Sequence, residues 1–229
     1  MPTILAIETA ADLASAAVLH QGRIHVRAAN GVQTHSQTLL PMVQAVLGEA
    51  GITLAQCDAI GFGAGPGSFT GVRTACGVAQ GLGFGAGLPL VPVVTLEAMA
   101  EACREREGTR DVLVLLDARM EEVYWAQYRH DGTGWRAIIA PRLGSAATVS
   151  AEGEPVACGN ALAAYAAAFA QHAFAARLPD IVPHAEQVAR LAEHALAAGR
   201  SVHPRDASPL YLRDKVALTT SERLAKAGL

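Results

Sequence analysis

The sequence predicts an α/β protein of two similar lobes, and three observations carry that prediction. A run of strands followed by alternating helices and strands occupies the first 107 residues and begins again at 111. Each run opens with a short apolar strand that ends in an acid, Glu8 in the first and Asp117 in the second. With 51% hydrophobic and 17% charged residues over 229 positions, the chain has enough apolar material for two cores, so disorder is not expected.

In chain order, apolar runs predict strands at 4–8 and 15–19, and alternation predicts a third at 23–28 after the tight turn Gln21-Gly22. A helix is expected over 36–50, stopped by Gly51, with Pro41 in its first turn or kinking it. A strand at 59–63 then leads into the loop Ala64-Gly65-Pro66-Gly67 and a helix over 68–85, followed by a strand at 90–94 and a helix over 95–107. The second run repeats the scheme, with strands at 111–117, 122–128, 135–140 and 155–158, then helices at 161–176 and 186–198. The division falls at 106: residues 1–106 form an N-terminal lobe and 107–229 a smaller C-terminal one, whose segment Ser208-Pro209-Leu210-Tyr211-Leu212-Arg213 docks on a lobe and can return to the first.

A net charge of −3 excludes a general attraction to nucleic acid or anionic membrane. The start Met1-Pro2-Thr3-Ile4-Leu5-Ala6-Ile7-Glu8 has no cationic region and meets an acid early, so no signal peptide is expected and a cytoplasmic location is. Cys57, Cys76, Cys103 and Cys158 form no C-x-x-C pair and read as reduced core thiols.

Two lobes whose first strands end in acids describe the actin and sugar-kinase architecture, in which a nucleotide binds between the lobes. That chemistry needs glycine turns facing the phosphates and acids holding a metal. Here Glu8 is followed by Thr9-Ala10-Ala11-Asp12-Leu13-Ala14 and Asp117 by Ala118-Arg119-Met120-Glu121-Glu122, without glycine and with added carboxylates. Pro66-Gly67-Ser68-Phe69-Thr70 is not a nucleophile elbow, and the eight histidines show neither H-E-x-x-H nor H-x-x-x-H spacing. The residues therefore point to no catalytic group, no metal and no cofactor.

The helices of the first lobe offer a surface instead. Leu39, Leu40, Met42, Val43, Val46 and Leu47 spread over an arc wider than one core face needs, leaving an edge for a partner. On the next helix Thr70, Thr74, Gly77 and Gly81 share a face, while Ala75, Val78 and Leu82 can pack inward. Small residues allow close helix approach, so the pair can form half of a four-helix bundle with another subunit. Glycine-rich helices also pack closely on their own sheet, and the pattern leaves both arrangements open.

Five motifs in one order resemble the TsaB (YeaZ) family of bacterial proteins of tRNA threonylcarbamoyladenosine biosynthesis. They are Ile4-Leu5-Ala6-Ile7-Glu8-Thr9, His35-Ser36-Gln37-Thr38-Leu39-Leu40-Pro41-Met42, Gly65-Pro66-Gly67-Ser68-Phe69-Thr70-Gly71-Val72-Arg73, Asp117-Ala118-Arg119-Met120-Glu121-Glu122-Val123-Tyr124 and Pro209-Leu210-Tyr211-Leu212-Arg213. The resemblance implies an α/β, two-lobe actin-like ATPase (ribonuclease H-like) fold, each lobe a mixed sheet with flanking helices and the second degenerate. It implies a non-catalytic subunit that binds and activates TsaD, the threonylcarbamoyl-transferring relative. The ATPase TsaE is the third partner, and tRNA is met only through the complex.

The pairing it implies uses the two first-lobe helices, where the candidate contacts are His35, Leu39, Met42, Val43 and Val46, then Thr70, Arg73, Thr74, Gly77 and Gly81. A homodimer through the same surface is expected when the partner is absent. Where the catalytic relative has its metal-binding histidine pair, this chain has Thr95 and Met99, and Glu121 stands where many members carry glycine. The rival expectations are a metal-dependent glycoprotease-like or ATP-using enzyme, and a simple homodimeric scaffold.

Overall fold

Strand 1 alternates its side chains between two cores, and the rest of the first lobe is built around that alternation. A computed structural model describes residues 1–30 and 35–213, with the backbone alone at His35 and Ser36. The elements of the first lobe are β1 (Ile4–Glu8), β2 (Leu13–His20), β3 (Arg23–Asn30), α1 (His35–Ala50), β4 (Ala59–Gly65), α2 (Phe69–Ala86), β5 (Leu90–Val94) and α3 (Thr95–Glu107). In β1, Leu5 and Ile7 join the core under α1 and α2, while Ile4 and Ala6 point to the opposite core. The β2–β3 turn is Gln21-Gly22, both residues with positive φ (50° and 74°), as a two-residue hairpin turn requires. Helix α1 runs on through Pro41, which lies exposed in its second turn.

The second run comprises β6 (Asp111–Asp117), β7 (Glu122–His130), β8 (Trp135–Ser145), β9 (Val156–Cys158), α4 (Ala161–Ala164), α5 (Ala166–Phe169), β10 (Ala176–Leu178) and α6 (Ala185–Ala197). The described residues form two five-stranded sheets, ordered β3-β2-β1-β4-β5 and β10-β9-β6-β7-β8. Numbered within each lobe the two orders are identical, third-second-first-fourth-fifth. β1 runs antiparallel to β2 and parallel to β4, and β6 stands in the same relation to β7 and β9. This is the repeated mixed sheet expected of the two-lobe fold, and the second copy is the reduced one. Between β8 and β9 the described residues hold a single 3-10 turn, Ala146–Thr148, where the first lobe has α1.

Two features depart from the sequence-based expectation. The alanine tract 161–176 does not form one helix: it breaks at Tyr165 (φ −125°, ψ 41°) into two single turns and ends in β10. Helix propensity loses there to tertiary demands. The Tyr165 hydroxyl donates to Asp117, the Phe169 ring is fully buried, and Arg177 donates to the carbonyls of Phe169 and His172.

The second feature is that the helix following each fifth strand crosses over. Leu96, Met99, Ala100 and Cys103 of α3 fill the core of the second sheet. Ala185, Val188, Ala189 and Ala192 of α6 fill the back core of the first. Val202 then pairs with Leu90 at the edge of β5, which sets the chain after α6 against the first sheet. Cys57, Cys76, Cys103 and Cys158 are buried free thiols. Among the described residues no helix is long and apolar enough to cross a membrane.

Candidate functional site

The glycines of α2 divide into two groups. Gly71 lies beneath the Thr9 carbonyl, where a Cβ would overlap the backbone oxygen, and the Thr9 hydroxyl donates to the Gly71 carbonyl at 2.7 Å. Gly83 is closed in by Leu90, Leu88 and Pro204. These two serve the lobe's own packing. By contrast Gly77, Gly81 and Gly85 are exposed, and a Cβ built on any of them meets nothing within 4 Å. Each costs ~1 kcal/mol of helix stability relative to alanine, and no contact among the described residues offsets it.

At 100° per residue Thr70, Arg73, Thr74, Gly77, Gly81 and Phe84 fall on one stripe of α2. Thr70 and Arg73 are exposed, and Thr74 is half-buried with its hydroxyl donating to the Thr70 carbonyl. Phe84, 57% exposed, and Phe69, 41% exposed, stand at the two ends of the helix. On α1, Leu39, Met42, Val43 and Val46 are buried in the first-lobe core. These four, expected as direct contacts, are taken up by the lobe's own core, because the apolar arc lies over β2 and β3. The edge left over is Leu40, 45% exposed and part of the same arc, together with exposed Gln37, Pro41, Gln44 and Gly48. The side chain of His35 lies outside the described residues.

The cleft between the lobes, about 370 Å³, is lined by Ala10–Asp12, Pro66–Phe69, the β6–β7 turn and residues 210–213. Neither strand-end acid is free in it. Glu8 is fully buried behind the cleft, where its carboxylate accepts from the Ala10 amide (2.6 Å) and the Thr95 hydroxyl (3.1 Å). Thr95 in turn accepts from the Gly65 amide, and Gly63 leaves the space in which the carboxylate sits. Burial pushes the Glu8 pKa up to about 7, with the hydrogen bonds from Ala10, Thr95 and Thr9 pulling it down.

Asp117 accepts from the Arg119 amide and the Tyr165 hydroxyl, both at 2.8 Å, and pairs with the Arg119 guanidinium at 3.2 Å. Thr95 and Met99, at the positions of the relative's metal ligands, are both fully buried, Met99 in the second-lobe core. Among the described residues no group of three or more His, Cys, Asp or Glu side chains is placed to hold a metal ion.

The turn between β6 and β7 carries three successive non-glycine residues in the left-handed region, Arg119, Met120 and Glu121, at φ 62°, 56° and 62°. An L side chain in that conformation costs about 1–2 kcal/mol at each position. Glu121→Gly is expected to raise stability by about 0.5–1 kcal/mol, after the larger unfolded-state freedom of glycine is subtracted. Thermal melting of the two proteins measures it, and an unchanged or lower melting temperature contradicts it.

Tyr211, which no motif singled out by itself, completes the site. The Arg73 guanidinium lies 3.5 Å from the Phe69 ring centroid and 5.5 Å from that of Tyr211, and its Nε donates to the Tyr211 hydroxyl at 2.8 Å. The Arg73 side chain thus joins the N-terminal end of the α2 stripe to the C-terminal segment. No local pattern pairs residues 138 positions apart.

The profile of the TsaD family, tRNA N6-adenosine threonylcarbamoyltransferase, matches residues 13–220. The tRNA threonylcarbamoyladenosine biosynthesis protein TsaB of Escherichia coli is 37% identical over 93% of this chain and 96% of its own. The protein of the same name from Haemophilus influenzae is 34% identical over 93% and 94%. The solved structure of YeaZ from Pseudomonas aeruginosa superposes with a TM-score of 0.86 at 36% identity, covering 93% of this chain and all of that one.

Proposed function

Because the chain belongs to the TsaB family, we propose that it serves tRNA threonylcarbamoyladenosine biosynthesis as a non-catalytic subunit that binds and activates TsaD. TsaD docks on the outer stripe of α2 and the exposed edge of α1, TsaE joins as third partner, and tRNA is engaged by the assembled complex. Alone, the chain pairs with a second copy through the same stripe.

The observation that carries this reading is the exposure of Gly77 and Gly81. Two mid-helix glycines with empty space before them weaken α2 with no compensating contact among the described residues, and a closely approaching helix supplies the missing one. The non-catalytic side is supported by Glu8 and Asp117, whose carboxylates are taken up by the chain's own donors. The match to a transferase profile favours a second reading, in which the chain itself transfers or hydrolyses.

Reconstitution separates the two. Purified chain, TsaD, TsaE, tRNA, ATP and threonylcarbamoyl-adenylate precursors are combined, each is omitted in turn, and modified adenosine is measured. Product is expected to collapse when this chain is left out; undiminished product would remove the activator reading, and ATP hydrolysis by the chain alone would restore the enzyme. Gly81→Leu sharpens the test because its two effects have opposite signs. The unpaired monomer gains about 1 kcal/mol of helix stability, while overpacking of a tight helix pair by about 1–3 kcal/mol weakens TsaD binding about 5- to 150-fold.

A further inference from the structure

We propose that residues 208–213 form an interlobe strap that holds the two lobes closed over the cleft, with Arg73 as its point of release. The segment is bonded to both lobes within four residues. The Leu210 amide donates to the Ala64 carbonyl at the end of β4 (2.7 Å), and Leu212 packs against the core of the second lobe. Arg213 Nη2 donates to the Ala118 carbonyl (3.0 Å) and pairs with Glu122 Oε2 (2.7 Å). Arg213 therefore bridges the two ends of the left-handed turn formed by Arg119, Met120 and Glu121, and its Nη1 lies 3.4 Å from the Met120 sulfur.

The other ion pair across the mouth cannot do this. Arg119 and Asp12 are 3.7 Å apart with side chains 75% and 70% exposed, a geometry that contributes little in water. Arg213 is only 16% exposed and makes several bonds at once, so the strap is the stronger of the two ties at the mouth. The strap also holds a turn whose backbone opposes its conformation, and losing Arg213 lets that turn relax.

Between the two anchor points Tyr211 lies against Phe69 (ring centroids 6.2 Å apart) and accepts from Arg73. Arg73 is itself exposed on α2. Whatever draws the guanidinium outward removes the hydrogen bond and the cation–π contact from the middle of the strap. The two lobes then separate about the crossing helix α3. The strap is a property of the chain alone, so it stands or falls independently of TsaD binding.

Spin labels on Arg23→Cys in the first lobe and Arg136→Cys in the second report the lobe separation by pulsed electron resonance. Both positions are exposed and the native cysteines are buried. The labelled full-length chain is diluted with excess unlabelled chain so that only intramolecular distances count. The parent is expected to give one narrow distribution. Arg213→Ala, Tyr211→Ala and Arg73→Ala are each expected to broaden it and move its mean outward by more than the parent width. Arg205→Ala, in the same tail but bonded to neither lobe across the cleft, leaves it unchanged. Circular dichroism establishes that each variant is folded; where an alanine variant is not, Tyr211→Phe and Arg213→Gln carry the same expectation. Superimposable distributions for the strap variants and the parent, or equal broadening by Arg205→Ala, overturn the proposal.

Discussion

Gly71→Ala is expected to destabilise the chain by about 2–3 kcal/mol, the largest effect of any single methyl group on this helix. The added Cβ would overlap a backbone oxygen, that of Thr9, and no rotamer change relieves a conflict between two backbones. Relief requires α2 to lift from β1. That movement breaks the buried bond from the Thr9 hydroxyl and opens the core in which Ala75, Cys76 and Ala79 are packed. The helix propensity gained, ~1 kcal/mol, is too small to compensate. Gly77→Ala is the matched control: the same chemical change six residues along meets empty space in the monomer and, at concentrations where the chain is unpaired, is expected to stabilise by up to ~1 kcal/mol. Urea unfolding of the two variants decides the matter, and a Gly71→Ala chain as stable as the parent would show that α2 is not seated on β1 as described.

The second large effect is a pH dependence carried by Glu8. Its folded-state pKa is raised by burial from 4.5 to about 7, so the folded chain keeps a proton that the unfolded chain releases. The associated stability is fully present below pH 4.5 and declines as pH rises, levelling off above about pH 7. Over that window the loss amounts to about 3 kcal/mol. Glu8→Gln is neutral throughout and copies the protonated form, with one oxygen left to accept from the Ala10 amide. Unfolding free energies of parent and variant between pH 5 and pH 8 are expected to differ by an amount that moves in the variant's favour up to about pH 7 and is level beyond it. Because both chains share every other titrating group, the difference isolates this carboxyl. A constant difference would mean that Glu8 stays ionised or is hydrated in the folded state.

Much of this was legible from local pattern. The strands ending at Glu8 and Asp117, the Gln21-Gly22 turn and the exact span of the helix over Thr95–Glu107 follow from short-range alternation, turn residues and stop signals, and all appear in the structure. The candidate surface was half legible. Gly77 and Gly81 announce a bare stripe through their spacing alone, yet the same spacing logic swept in Leu39, Met42, Val43 and Val46, which pack inward. An apolar arc on a helix does not state how much of itself a sheet will cover. Phe84, three residues beyond Gly81, was available to the same reasoning and is the most exposed aromatic on that helix.

By itself, then, the sequence determined the repeated strand-first lobes, the family they belong to and the absence of glycine at both cleft turns, because these reside in residue order and in interactions a few positions apart. Only the tertiary structure decided that α3 and α6 cross to the opposite lobe, that an alanine tract breaks at Tyr165, which glycines of α2 are filled, and that Arg73, Tyr211 and Arg213 tie the lobes together. Those outcomes depend on which distant backbones and side chains compete for the same volume and the same hydrogen bonds. That competition exists only once the chain is folded.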